Sequence, residues 1–363
     1  MLAGALPAVQ YPKRVIIHQR PGPQHHTPFM TLHVRPVRTD ELARAHEVVA
    51  SGSRGIHDQA MFAELPRLWR ELLNERRLEM HVFLDDLLPP AQRIQGVASG
   101  AFVGDAFADL LLADGAPMVA RQVLQAELQG RSVILTRAQM ALANSGDGVN
   151  GVGLDFAFAR DDWSMPTALR WIPMLLESGR LWLDGWRVRM ALRECIGRDL
   201  FLTVRAIGCP VFHRHTVFDG RRLPPAQRCY LMGMTRDWSR RLPVALASLL
   251  FFSDRVPRFR FTMAEQDLLL LALGNHADDG CAAQLNVSPH TVKMRWRAIF
   301  EHVAEQQPDW FPNNEAHDGH RGVEKRRHVL AYLARHMEEV RPQARALRRP
   351  PGNAEPGEPD FGR

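Results

Sequence analysis

The sequence predicts an α+β part of about 220 residues followed by a smaller all-α part. Three observations carry this. Two-residue and helical periodicities are intermingled over roughly the first 250 residues. A polar, basic stretch with a central proline, Ser253-Asp-Arg-Val-Pro-Arg-Phe-Arg260, reads as a linker. From Phe261 onward, three helical signatures with their own start and stop residues follow in quick succession. A chain of 363 residues with 45% apolar and 24% charged residues can bury sizeable cores. The net charge of +6 hints only mildly at a polyanionic partner.

Residues 1–28 are rich in Pro, Gln, His and Arg, and the composition predicts a disordered extension; Met30 is a second candidate start. From residue 29 to 252 the α+β part is expected. Leu32 to Val37 alternates as a strand does, Thr39 begins a helix to Ala50, and a second helix spans Met61 to Arg77. Strands are expected over Met80 to Leu84 and Arg93 to Val103. Helical periodicity covers Ala106 to Leu128 and Thr136 to Ala143, and Val152 to Ala159 reads as a strand. Ser164 starts a helix with Pro166 in its first turn, reaching Leu176. A further helix is expected from Trp186 to Ile196, a strand from Leu200 to Val204 and a helix near Pro243 to Phe251.

The linker, 253–260, leads into the all-α part, 261–340. Thr262 with Glu265 three residues on forms a capping box, and Leu268, Leu271 and Ala272 give the first helix an apolar stripe. Gly274 and Asn275 stop it. Asp278 and Asp279 open a second helix with Cys281, Ala282 and Leu285 facing inward. Ser288 caps the third, with Pro289 at its first position. Val292, Trp296, Ile299 and Val303 share one face of that helix; His290, Lys293, Met294 and Arg297 share the other. Arg295 adds a further cation, and no acid intervenes between Ser288 and Phe300. A buried face opposite a basic one suits a helix lying in the major groove. An extra helix is expected from Val323 to Val340, then a basic, Pro-rich disordered tail from 341 to 363.

This segment resembles the LuxR-type helix-turn-helix family. The resemblance runs without a gap through Phe261-Thr262, Glu265, Leu268, Leu269, Leu271, Cys281-Ala282, Leu285, Ser288, Thr291, Val292, Lys293 and Ile299. It departs at Ala264, at Gly274-Asn275 and at Arg295. The resemblance implies that Thr291 and Lys293 contact DNA phosphates or bases and Arg295 a phosphate. Ser288, at the helix start, is added for its backbone and hydroxyl donors. The helical wheel adds His290, Met294 and Arg297, the last able to read guanine or a phosphate. The expectation is an α+β sensory or regulatory part followed by an all-α LuxR-like helix-turn-helix domain. Such a protein would be a cytoplasmic transcription regulator binding double-stranded DNA as a homodimer, with an unknown small-molecule effector. It would not be an enzyme, and no catalytic residue, cofactor or metal is expected.

An alternative comes from the front part. Its order of strand, helix, helix, strand, strand over Leu32 to Val103 resembles the start of the GNAT acetyltransferase family. Arg93-Ile-Gln-Gly96-Val-Ala98 matches the R-x-x-G-x-A loop that holds acyl-CoA pyrophosphate there, although these residues read as strand. This resemblance implies an acetyl-CoA-dependent N-acetyltransferase with a helical appendage. His213, His215, Trp182 and Trp186 are candidates for a ligand pocket. The four cysteines form no C-x-x-C pair, so neither a zinc site nor a disulfide framework is expected. No apolar run is long enough for a transmembrane helix.

Overall fold

The computed structural model describes residues 32–52, 59–159, 165–218, 220–242, 246–251, 255–274, 276–311 and 321–344. The expected N-terminal extension, most of the C-terminal tail, Asn275 and the cap at Ser164 lie outside the described residues.

Seven strands build one mixed sheet. In chain order the front part runs β1 (Leu32–Pro36), α1 (Leu42–Gly52), α2 (Gln59–Asn74), β2 (Leu78–Asp85), β3 (Ile94–Val103), α3 (Asp105–Ala113), α4 (Val119–Leu128) and α5 (Arg137–Ser145). It continues with β4 (Val149–Phe158), α6 (Met165–Leu183), β5 (Val188–Ile196), α7 (Arg198–Ala206), β6 (Val211–His215), the two-residue strands β7 (Val217–Phe218) and β8 (Arg221–Arg222), β9 (Cys229–Thr235) and α8 (Arg236–Arg241). The sheet order is β1-β2-β3-β4-β5-β9-β6. All neighbours are antiparallel except β4 and β5, which run parallel.

Helices cover both faces of this sheet. On one face α1 buries Leu42, Ala45, Val48 and Val49, spaced as one helical stripe, and α2 buries Met61, Leu65, Leu68, Trp69 and Leu72. With α3 and α4 they pack on Val82, Val97, Val152, Leu192 and Leu231. Burying each such side chain contributes about 1.5–3 kcal/mol. On the other face α6 lays Trp182, and the turn after it Trp186, against Phe102, Met140 and Phe251. Gly100 makes room for this, since a Cβ there would sit 2.6 Å from the Trp182 ring. Beside it α7 packs Leu200, Phe201 and Val204 on Cys195 and Met232.

Three expectations differ from what the chain forms. The single helix expected over Ala106 to Leu128 is two, α3 and α4, because Gly115 (φ +52°) and Met118 (φ 63°) turn the backbone left-handed between them. The stretch read as a helix, Trp186 to Ile196, contains strand β5. The stretch read as a strand, Leu200 to Val204, lies in helix α7. Val188-Arg-Met-Ala-Leu-Arg-Glu-Cys-Ile196 is full of helix-favouring residues, yet pairing to β4 and β9 on its two edges outweighs that propensity.

The C-terminal part is all-α: α9 (Met263–Leu273), α10 (Asp278–Leu285), α11 (Pro289–Gln306) and α12 (Arg321–Leu333), then a 3-10 turn, Met337–Val340. Its core joins Leu268, Leu269, Cys281, Val292, Trp296, Ile299, Val303, Val329 and Leu333. The capping box at α9 forms, with Thr262 N donating to Glu265 Oε2 at 2.7 Å. This part is docked on the sheet part through charge. Asp267 of α9 lies 2.6 Å from Arg137 Nη1 and 3.3 Å from Arg76 Nε. Beyond α12, Arg341 donates to the carbonyls of Asp184 and Leu181 at 2.8 and 3.1 Å and lies over the Trp186 ring.

Candidate functional site

The parallel pair at the centre of the sheet is short. β4 and β5 pair from Val149↔Val188 to Gly153↔Arg193 and no further. Beyond that rung β4 runs on to Phe158 paired only with β3, and β5 runs on to Ile196 paired only with β9. The strands therefore diverge at their carboxyl ends, where parallel sheets offer a crevice to ligands. A bulge sits at the same place. Ala98 pairs with Phe156 and Gly100 with Gly153, so β4 carries one residue more than β3 over this stretch. Ser99 pins the bulge: its Oγ accepts from Asp155 N at 2.9 Å and donates to Asp155 Oδ2 at 2.9 Å.

Successive residues of β5 point to opposite faces at this opening. Glu194 turns toward the α1–α4 face. Its Oε1 accepts from Met118 N at 2.8 Å and its Oε2 from Val119 N at 3.0 Å, at the start of α4. Burial pushes its carboxyl up to about 6, against those two hydrogen bonds, which favour the charged form. The Cys229 thiol lies beside it and is pushed up to about 12, by burial first and then by Glu194. Cys209 rises to about 12 and Cys195 further still, both chiefly through burial. These thiols stay protonated at neutral pH, so none is a ready nucleophile.

Arg193 turns toward the α6–α7 face. Its guanidinium lies over the Phe156 ring, 4.6 Å from the centroid, and against Gly153, where a Cβ would stand 2.9 Å from Nε. Nη1 is shut off from solvent and has no hydrogen-bond partner. Burial lowers its pKa below the usual guanidinium range. On the same face, further back in the sheet, His81 Nδ1 meets Ser178 Oγ at 3.1 Å; burial, and then Arg341, push its pKa down to about 4.

The residues singled out in the sequence lie elsewhere. Ser288 caps α11 by accepting from Thr291 N at 3.1 Å. His290, Lys293, Met294 and Arg297 are exposed, Thr291 and Arg295 half-buried, and Arg297 is paired with Glu301 at 2.9 Å. Their helix packs on α9 and α10 and takes no part in the sheet's opening. Gly96 and Ala98 of the R-x-x-G-x-A match are buried inside β3, paired with Phe158 and Phe156. That match is therefore strand and not a phosphate loop. Trp182 and Trp186 are core residues against Phe102, whereas His213 Nε2 donates to Leu112 O at 2.7 Å on the other face. The four do not share a pocket. Glu194 and Arg193 were missed because their stretch reads as helix; the alternation of Val188, Met190 and Leu192 with Arg189, Ala191 and Arg193 is the signal that marks it as strand.

Among the described residues no group of His, Cys, Asp and Glu could hold a metal, and no helix is long and apolar enough to cross a membrane. No family model matches the chain, and no curated protein matches it. Solved structures do. The matches extend over a little more than half of this chain. Similar to this chain is a spermidine/spermine N-acetyltransferase from Vibrio cholerae, at 11% identity and a TM-score of 0.34, covering 59% of this chain and 97% of that one. NAA60 of Arabidopsis thaliana, solved with acetyl-CoA, is 12% identical with a TM-score of 0.35, covering 57% and 99%. A ribosomal-protein-S5-alanine acetyltransferase from Vibrio fischeri is 9% identical with a TM-score of 0.35, covering 58% and 96%. At this identity the likeness concerns the fold.

These findings correct the expectation of a transcription regulator that is not an enzyme and has double-stranded DNA as its partner. Two of these three neighbours are named as acetyltransferases and the third is solved with acetyl-CoA; none of the three is named as a DNA-binding protein. The LuxR-type resemblance of the C-terminal helices finds no matching family model. The physical reason for the error is that capping and amphipathic spacing report a compact helical array, whatever surface that array presents.

Proposed function

We propose that the chain is an acetyl-CoA-dependent N-acetyltransferase or a close acyl-transferring variant of one. One observation carries the reading: the sheet opens past Gly153 and Arg193, and Glu194 stands on one side of the opening with a carboxyl held near neutral pH. The chain's own unsatisfied groups fit an extended, anionic donor. β4 past Gly153 pairs on one edge only, leaving a strand edge along which an elongated arm can lie. Arg193 brings a guanidinium with an unpartnered Nη1.

When bound, acetyl-CoA supplies an activated acyl carbon on a thioester. An amine nitrogen attacks that carbon, the C–N bond forms, the C–S bond breaks and the sulfur leaves as thiolate. The protein's part is to place the amine and take its proton. Glu194 is ionised above about pH 6, and its Oε atoms face the side of the sheet opposite Arg193. It therefore serves as the base for an amine arriving from the α1–α4 face. A base with a pKa near the working pH contributes about 10²–10⁴-fold. The two backbone donors at Met118 and Val119 fix the carboxylate's direction.

The test is to mix purified protein with acetyl-CoA and a panel of primary amines. Released thiol is followed, and the product is identified by mass spectrometry. Stoichiometric acetylated amine and free thiol are expected. If acetyl-CoA neither binds by calorimetry nor is consumed with any amine, the reading fails.

A further inference from the structure

Beside the opening stands a charge that no described residue answers. Arg193 makes no hydrogen bond and no ion pair with the described residues, whereas Arg77 and Arg189 of the same part are paired with Glu127 and with Asp105 and Asp109. Its neighbours are the Phe156 ring, the bare backbone at Gly153, and the thiols of Cys195 and Cys209. The nearest acid is Asp155, whose Oδ2 is already bonded to Ser99. Arg193 is half-buried, and its Nη1 is withdrawn from water without a partner, which costs free energy. A fold keeps such a group when something that is not part of the chain completes it.

The position narrows what that is. Arg193 occupies the last paired rung, at the vertex where β4 and β5 part. The vertex lies beside Glu194, where the reacting atoms meet on the acyltransferase reading. We propose that Arg193 holds a carboxylate carried by one of the two reactants. The donor would then be a dicarboxylic acyl thioester of the malonyl or succinyl kind, or the acceptor an amine that also bears a carboxylate. The planar fork of arginine matches a carboxylate in two bonds, and the Phe156 face holds the fork flat. The orientation of Arg193 away from Glu194 favours the donor as the bearer. This inference rests on the acyltransferase reading, and its test separates the two.

Binding is measured by calorimetry, without turnover, for wild type, Arg193→Met and Arg193→Lys. The probes are succinyl-CoA, acetyl-CoA, free succinate, and the paired acceptors β-alanine and ethylamine in the presence of acetyl-CoA. Selective loss of succinyl-CoA affinity in Arg193→Met, by about 30-fold or more with acetyl-CoA unchanged, assigns the carboxylate to the donor. The same selective loss for β-alanine against ethylamine assigns it to the acceptor. Arg193→Met is expected to melt a few degrees higher than wild type without ligand, since an unpaired charge is replaced by a thioether of similar length; this also shows that the variant folds. Equal weakening of both thioesters would overturn the proposal, as a phosphate contact does that. So would carboxylate and carboxylate-free probes that Arg193→Met binds as wild type does. If no thioester binds but succinate protects wild type and not Arg193→Met, the acyltransferase reading fails and the carboxylate site stands.

Discussion

The sheet part and the C-terminal helices are built by opposite strategies. In residues 261–303 each helix carries its own start signal and its own inward stripe, so Thr262, Glu265, Ser288, Val292 and Trp296 are all found where neighbours in sequence dictate. In the sheet part the opening is assembled from β3, β4, β5 and the start of α4. Ser99 and Asp155 are 56 positions apart, and Glu194 meets Met118 across 76. The difference teaches that ease of reading and functional weight are separate properties. The most legible segment led to the reading that the fold overturned.

The comparison is broken hardest at Glu194. Glu194→Gln is expected to lower kcat by about 10²–10⁴-fold with acetyl-CoA affinity retained. The wild-type rate should rise with pH through about 6 as Glu194 ionises, and the variant should lose that limb. A matching change in the helices, Lys293→Ala, is expected to leave the rate unaltered; equal losses in both would erase the distinction.

Stability tests whether the two parts are one cooperative body. Trp69, fully buried in α2, and Trp296, buried in α11, each lose about 3–5 kcal/mol when replaced by Ala. A single shared melting transition, lowered by either change, is expected from the ionic docking between the parts. Two transitions, each sensitive to one change, would show them independent.

A pH titration sharpens the sheet side. The His81 pKa is depressed to about 4 by burial, so the stability it contributes is complete above about pH 6.5 and lost as pH falls toward 4. His81→Gln should flatten the unfolding free energy in that window, measured by denaturant titration at successive pH values; an unchanged slope would show that His81 is charged within the fold.

At the seam, Asp267→Ala leaves Arg76 and Arg137 facing each other. The three side chains are 29%, 17% and 21% exposed, so solvent tempers the loss to about 1–2 kcal/mol. The smallest effect belongs to the helices: Thr262→Ala removes the α9 cap at about 1 kcal/mol, readable by chemical denaturation.

Much of the fold was legible in the residues. The strands β1 to β4 and the helices α1, α2, α5 and α6 lie close to where the residues place them: the helices α1 and α2 bury one apolar stripe, and β2, β3 and β4 are apolar runs buried on both faces. The site was not legible, for two physical reasons. β5 and α7 were read the wrong way round, since Met, Ala, Leu, Arg and Glu in β5 favour helix alone and strand only between two partners. Phe201, Leu202, Thr203 and Val204 in α7 mislead in the other direction, being β-favouring residues on an amphipathic turn. The R-x-x-G-x-A match failed because a six-residue pattern does not say whether its glycine turns a loop or, as at Gly96, clears space for Phe83 and Phe158 between strands.

The turn between α6 and β5 carries a consequence for dissecting the molecule. Gly185 (φ +80°) lies so close to the returning chain that a Cβ would stand 2.4 Å from Glu338 N, and Arg341 covers Trp186 while Asn144 holds the carbonyl of Pro342. The strand that bears Arg193 and Glu194 thus begins under residues that come from beyond α12. Cutting the gene before Arg255 would unroof the entry of β5. The helices are, in this sense, scaffolding for the strand that bears Arg193 and Glu194, and the two halves are best expressed, crystallised and mutated as one piece.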